Sequence, residues 1–180
     1  MTQQHIADTR QTFAEYVDFD FDAMARKETY ATTGPRMQVR VFGGFDFSAA
    51  SLEQLDWVAT AYRQGVPMGG DLESAEAGQS TQLLVEALRD PDGANLDRVQ
   101  IVKGWMDSEG QTHERIYDVA CSDAREIVER RCATPVGNTV DVATATYTNA
   151  IGDAALKACW QDPDFDISQS AYYYVRVLQS

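Results

Sequence analysis

The sequence predicts a mainly β protein, an antiparallel sandwich preceded by helix. Three observations carry that expectation. Runs rich in Val, Thr and aromatic residues recur from Met37 to Leu178, several with two-residue alternation. Tight-turn chemistry separates them. No regular series of helices interleaves with them, as a parallel sheet would need.

The elements follow in order. From Asp8 to Glu28 the pattern is helical, with Phe13, Tyr16, Val17, Phe21 and Met24 near one face. Period-two alternation from Val17 to Asp22 interrupts it and makes Asp20 an N-cap candidate for a second short helix. Gly34-Pro35 stops helical structure. Met37, Val39 and Val41 then alternate with Gln38 and Arg40 as a half-buried strand, ended by Gly43-Gly44. Ser51 to Tyr62 reads two ways: a helix with a Ser51/Gln54 capping box, or extended chain. Gly65 to Asp71 is a loop by composition. Thr81 to Arg89 is a strand, and Asp90 to Gly93 a turn. Arg98 to Met106 and Thr112 to Cys121 form a hairpin around Asp107 to Gly110. Thr139 to Tyr147 reads as a strand from its Val and Thr content, Gly152 to Trp160 as a short helix, and Ala171 to Leu178 as a last strand. The expected organisation is a helical segment over 1–34, belonging to or joining a preceding domain, and a β-sandwich over 35–180. One or two N-terminal helices would precede an immunoglobulin-like or jelly-roll-like sandwich.

Length and charge bound the function. A chain of 180 residues buries a full core without needing disulfides. The formal net charge of −13 leaves no basic surface for phosphate neutralisation, so no nucleic-acid partner is expected. It favours solubility and fits a cationic partner or none. No apolar run approaches the roughly 20 residues of a membrane helix, and Met1 to Arg10 holds no signal-peptide core. Of the three cysteines, Cys121 and Cys132 flank a polar loop and are candidates for a disulfide in an oxidising compartment. Cys159, beside Leu156 and Trp160, reads as a buried free thiol.

Several constellations bear on chemistry. A catalytic metal cluster needs converging histidines and carboxylates, and the chain has two histidines, His5 and His113, without ligand spacing. Asp90 to Asp97 and Asp162 to Asp166 loosely resemble calcium loops, but proline and glycine already explain them as tight turns. No nucleophile elbow is present, and a pairing of Cys121 or Cys159 with His113 has no supporting local signature. Thr32, Thr33 and Arg36 offer hydroxyls and a guanidinium fork suited to a phosphate or carboxylate, with Gly69 and Gly70 allowing close backbone approach. The competing reading is an ordinary helix-to-strand corner. In Tyr172-Tyr173-Tyr174, Tyr173 is expected on the face opposite its neighbours. No catalytic, metal or cofactor-binding residue is assigned.

Long stretches of the chain resemble a family called domain of unknown function 3604. They are Phe21 to Arg36, Gly65 to Leu72, Arg89 to Trp105, Val136 to Asp141, Trp160 to Asp166 and Ala171 to Val177. Full-length members of that family resemble PHP-type metal-dependent phosphoesterases, whose metal ligands sit in N-terminal histidine- and aspartate-rich motifs absent from this chain. The resemblance implies a C-terminal accessory β-domain, not catalytic alone, of a hydrolase that binds a divalent metal elsewhere. It implies the missing N-terminal domain as partner, with a homodimer through the uncovered face as another arrangement. Thr32, Thr33 and Arg36 would lie near the parent's cleft or at the joint between domains. The parent would be soluble, periplasmic or secreted. The alternative is a free-standing carbohydrate- or protein-binding module using aromatics such as Trp57, Trp105 and the tyrosines.

Overall fold

A computed structural model describes residues 21–73 and 75–180. The helix expected from Asp8, the N-cap at Asp20 and His5 lie outside the described residues. Residues 21–25 are helical and end where Lys27 takes a left-handed backbone (φ 60°). The chain then runs to β1 (Gln38–Gly44). A 3-10 turn (Ala49–Glu53) and helix α1 (Trp57–Gln64) lead to the short β2 (Gly65–Pro67). β3 (Gln82–Leu88), β4 (Leu96–Met106) and β5 (Thr112–Cys121) follow. A small hairpin comes next, β6 (Ile127–Val128) with β7 (Arg131–Cys132), and then β8 (Ala155–Gln161) and β9 (Ala171–Gln179).

The protein is mainly β, and the strands of its sheets pair antiparallel. One sheet has the order β2-β1-β3-β8 and the other β5-β4-β9. Period-two alternation decides how they meet. Leu83, Val85 and Ala87 of β3 and Leu156 of β8 project from one sheet. Leu96, Val99 and Ile101 of β4 meet them from the other, all in one buried cluster. The two sheets thus face each other across a shared core, as in a sandwich. β3 is buried on both faces. Its Leu84 points the other way, into Phe42, Phe47, Leu52, Trp57 and Ala61, where the 3-10 turn and α1 cover the first sheet's outer face. Phe42 meets Trp57 edge to face at 5.8 Å. The double burial explains why Leu83-Leu84-Val85 reads as a continuous apolar run. β9 ends its sheet, pairing with β4 only among the described residues.

The ambiguous stretch Ser51 to Tyr62 is therefore helical. Its local cap is one turn earlier than expected: the Ser48 amide donates to Ser51 Oγ at 3.1 Å. Two expectations are corrected. Gly152 to Trp160 is not a helix. Ala155–Gln161 pairs with β3 from Leu88↔Ala155 to Gln82↔Gln161. Burying alternate residues Leu156 and Ala158 outweighs the weak helical propensity of the segment. Thr139 to Tyr147 is not a strand. It is a turn with a lone Asp141↔Thr146 bridge, and the Asp141 carboxylate accepts the Ala143 amide at 2.9 Å. Val142 is 86% exposed, so the β-branched residues gain no burial that would hold them in a sheet.

A cleft at the open edge of the sandwich

The segment after residues 21–25 builds one wall of the main cleft. Glu28 accepts Arg26 Nε at 2.8 Å and the Tyr62 hydroxyl at 3.0 Å, and the Arg26 guanidinium holds the Glu28 carboxyl below its usual range. Tyr30 donates its hydroxyl to the Met37 carbonyl at 3.0 Å. Lys27 rests on Gly69, which has a φ of +82°, and a Cβ there would run into the Lys27 backbone. Gly69 therefore seats the incoming segment on the turn after β2; of the stretch Gly65 to Asp71 expected as a loop, Gly65–Pro67 is instead a strand, held by pairing with β1.

The opposite wall is the start of β9 and the connection leading into it. Val39, Val41 and Leu83 form the floor, on the inner face of the first sheet. The cleft measures about 710 Å³, within the range of small-ligand sites, and Lys27, Asp71, Glu73 and Ser168 are among its polar groups. A second cleft of about 280 Å³ adjoins it beyond Tyr30. Three segments far apart in the chain, 27–30, 66–73 and 165–175, thus meet around one opening.

Thr32 and Thr33 line the smaller cleft and face Arg176 of β9. Arg36 is not with them. Its backbone amide donates to Asp90 Oδ2 at 2.7 Å, which fixes it at the Asp90 turn. The structure joins Cys121 to Cys132 in a disulfide with Cα atoms 6.0 Å apart, tying the end of β5 to β7. Asp118 lies beside the two sulfurs. The trio does not suit a cation, because both sulfurs are bonded to each other rather than free as thiolates. The Asp118 carboxylate already accepts Gln100 Nε2 at 2.7 Å and the Cys132 amide at 2.8 Å.

The acidic turns are likewise occupied. Asp90 accepts the Arg36 and Asp92 amides, and Asp97 pairs with Arg98 and Arg125. At the other turn, Lys103 Nζ donates to Asp162 Oδ2 at 2.6 Å and to the Asp164 carbonyl at 2.7 Å. Tyr173 donates to Asp162 at 2.6 Å, while Tyr117 and Arg115 donate to Asp164 at 2.6 and 2.8 Å. Hydrogen bonds from Tyr117 and then Arg115 hold the Asp164 carboxyl below its usual range. Burial, reinforced by these carboxylates, pushes the Tyr117 and Tyr173 phenols up. His113 bonds Asp107 at 2.7 Å and stacks on Trp105. Cys159 stands on the other sheet, packed against the α1 cluster, and burial pushes its thiol up. No Cys–His pair forms from them.

Sequence reasoning missed Lys103 and Arg176. Lys103 did carry a signal: it shares strand parity with Ile101 and Trp105, so a lysine pointed inward. Arg176 had none, because the cleft it faces depends on a segment more than a hundred residues away.

The fold and site define a class: a mainly β domain of two facing antiparallel sheets with a ligand-sized cleft at its open edge. A family model described as "Protein of unknown function (DUF3604)" matches residues 18–180, and the chain belongs to that family. No curated protein and no solved structure matches it. Among the described residues, no helix is long and apolar enough to cross a membrane.

Proposed function

We propose that this chain is a non-catalytic accessory domain of a PHP-like metal-dependent hydrolase, lying C-terminal to the catalytic part and bordering it at the cleft. The carrying observation is the cleft wall. It is built by Lys27 to Tyr30 of the segment that enters from the N-terminal side, and the helical turn before them leaves Phe21 and Met24 exposed. Exposed large apolar side chains on the segment leading into the cleft support a docking face. The polar groups of the cleft, Lys27, Asp71 and Glu73, suit binding and orientation of a polar ligand. A divalent metal held by the histidine- and aspartate-rich motifs of the catalytic part would activate water there. The Cys121–Cys132 disulfide supports a periplasmic or secreted protein.

The test is metal content by elemental analysis and turnover of a chromogenic phosphoester. It compares this chain with a family member carrying the N-terminal histidine- and aspartate-rich motifs. Metal and turnover are expected in the longer protein alone. Stoichiometric transition metal and turnover in this chain by itself would overturn the reading. Gel filtration separates it from a free-standing binding module. An uncovered docking face pairs two copies at high concentration, whereas a self-sufficient module stays monomeric.

A further inference from the structure

The outer face of β9, whose Tyr172 and Tyr174 also border the cleft, carries a pair of aligned aromatic rings. Tyr172, Tyr174 and Arg176 alternate outward, while Tyr173, Val175 and Val177 turn to the core. Across the sheet, Tyr172 is in register with Gly104 and Tyr174 with Val102. Gly104 has no side chain, and the Tyr172 ring occupies the space a Cβ would take there. The ring therefore lies down across β4, the arrangement by which an aromatic covers a neighbouring glycine. Val102, in register with Tyr174, is fully buried. The two rings are parallel within 11°, with centroids 6.4 Å apart, close to the roughly 6.6 Å spanned by two residues along a strand. They form a flat platform of two rings side by side. Tyr172 is 60% exposed and Tyr174 41%.

Two charged groups flank the platform on the same face. Arg176 lies two residues along β9, and Glu114 sits opposite Gly104 on β5. Both are exposed. A flat two-ring platform is far too small for a stable protein interface, which buries at least about 1,000 Å². It does match the flat C–H face of a pyranose, with the phenols, Arg176 and Glu114 placed to bond ring hydroxyls. The net charge of −13 opposes polyanionic glycans. We propose that Tyr172 and Tyr174 bind a neutral, equatorially linked polysaccharide chain, two rings in line along β9. This site shares Tyr172 and Tyr174 with the rim of the cleft and does not rest on the accessory-domain reading.

The test is affinity electrophoresis of the 180-residue chain in native gels containing hydroxyethylcellulose, xylan or galactomannan, with dextran sulfate as the charged comparison. Retardation is expected in at least one neutral polymer and not in dextran sulfate. Tyr172→Ala/Tyr174→Ala should weaken it by about tenfold or more, as loss of aromatic anchors does. Tyr172→Phe/Tyr174→Phe keeps both ring faces and should retain most of the binding. Gly104→Ala leaves both tyrosines but lifts Tyr172 off the sheet, and should weaken binding with the fold intact by circular dichroism. Three results would overturn the proposal: no retardation in any neutral polymer, retardation by dextran sulfate alone, or binding unchanged in the double alanine variant. The phenylalanine and glycine variants decide the matter if the double alanine variant fails to fold.

Discussion

The turns Asp90 to Asp97 and Asp162 to Asp166 look alike in sequence and are held by different partners. The first is held by two backbone amides and two arginines: Asp90 accepts the Asp92 amide and the Arg36 amide, and the buried Asp97 is gripped by Arg98 and Arg125. The second is organised around one buried cation. Lys103 is 3% exposed, and it joins Asp162, the Asp164 carbonyl and, through them, Tyr173 and Tyr117. Two acidic loops thus owe their shape to different partners, a pair of arginines in one and a single lysine in the other.

The sharpest break is Lys103→Met. It strands the Asp162 carboxylate away from solvent, and a loss of about 3–5 kcal/mol is expected in urea unfolding. Lys103→Met/Asp162→Leu should recover most of that loss, because no charge is then left unpaired. The first turn is better challenged through its support. Arg125 lies on the loop closed by Cys121–Cys132, so Cys121→Ser/Cys132→Ser should cost about 2–4 kcal/mol and loosen Asp97.

Acid sharpens the contrast further. The folded-state pKa of Asp164 is depressed, so its stabilisation is full above the unfolded value near pH 4 and fades as pH falls through the folded value. Asp164→Asn should flatten the acid limb of stability against pH. Alkali acts with the opposite sign. The Tyr117 and Tyr173 phenols are raised, so their contribution is complete below about pH 10 and lost as pH climbs through their folded values. Phenolate absorbance should show late-titrating tyrosines, Tyr62, Tyr117 and Tyr173 among them, one of them removed by Tyr173→Phe. The smallest expected effect is that of calcium. With both sets of carboxylates occupied, added calcium should leave the melting temperature unchanged, whereas a binding site would raise it with concentration.

Much of the sheet was legible because alternation and turn residues are local. Gln38–Gly44, the β4–β5 hairpin and Ala171–Gln179 fall where Val, Ile and Tyr alternate between Gly and Asp turns. β8 was not legible, since Ala155 to Cys159 favours helix until β3 offers its face. The Thr139 to Tyr147 segment failed in reverse: its strand composition found no sheet to join. Of the anion candidates, Thr32 and Thr33 reach a cleft but Arg36 is diverted by Asp90, a partner 54 residues away that no local pattern names.

One consequence concerns how copies of this molecule avoid one another. β9 is a nine-residue strand whose far rim pairs with no strand among the described residues, and such rims invite edge-to-edge growth into fibres. Residues 30–33 stand across a narrow gap from that rim, and Arg176 puts a charge on the same strand. The segment that walls the cleft thus doubles as a fender. It crowds the approach of a second strand to an edge that would otherwise template it.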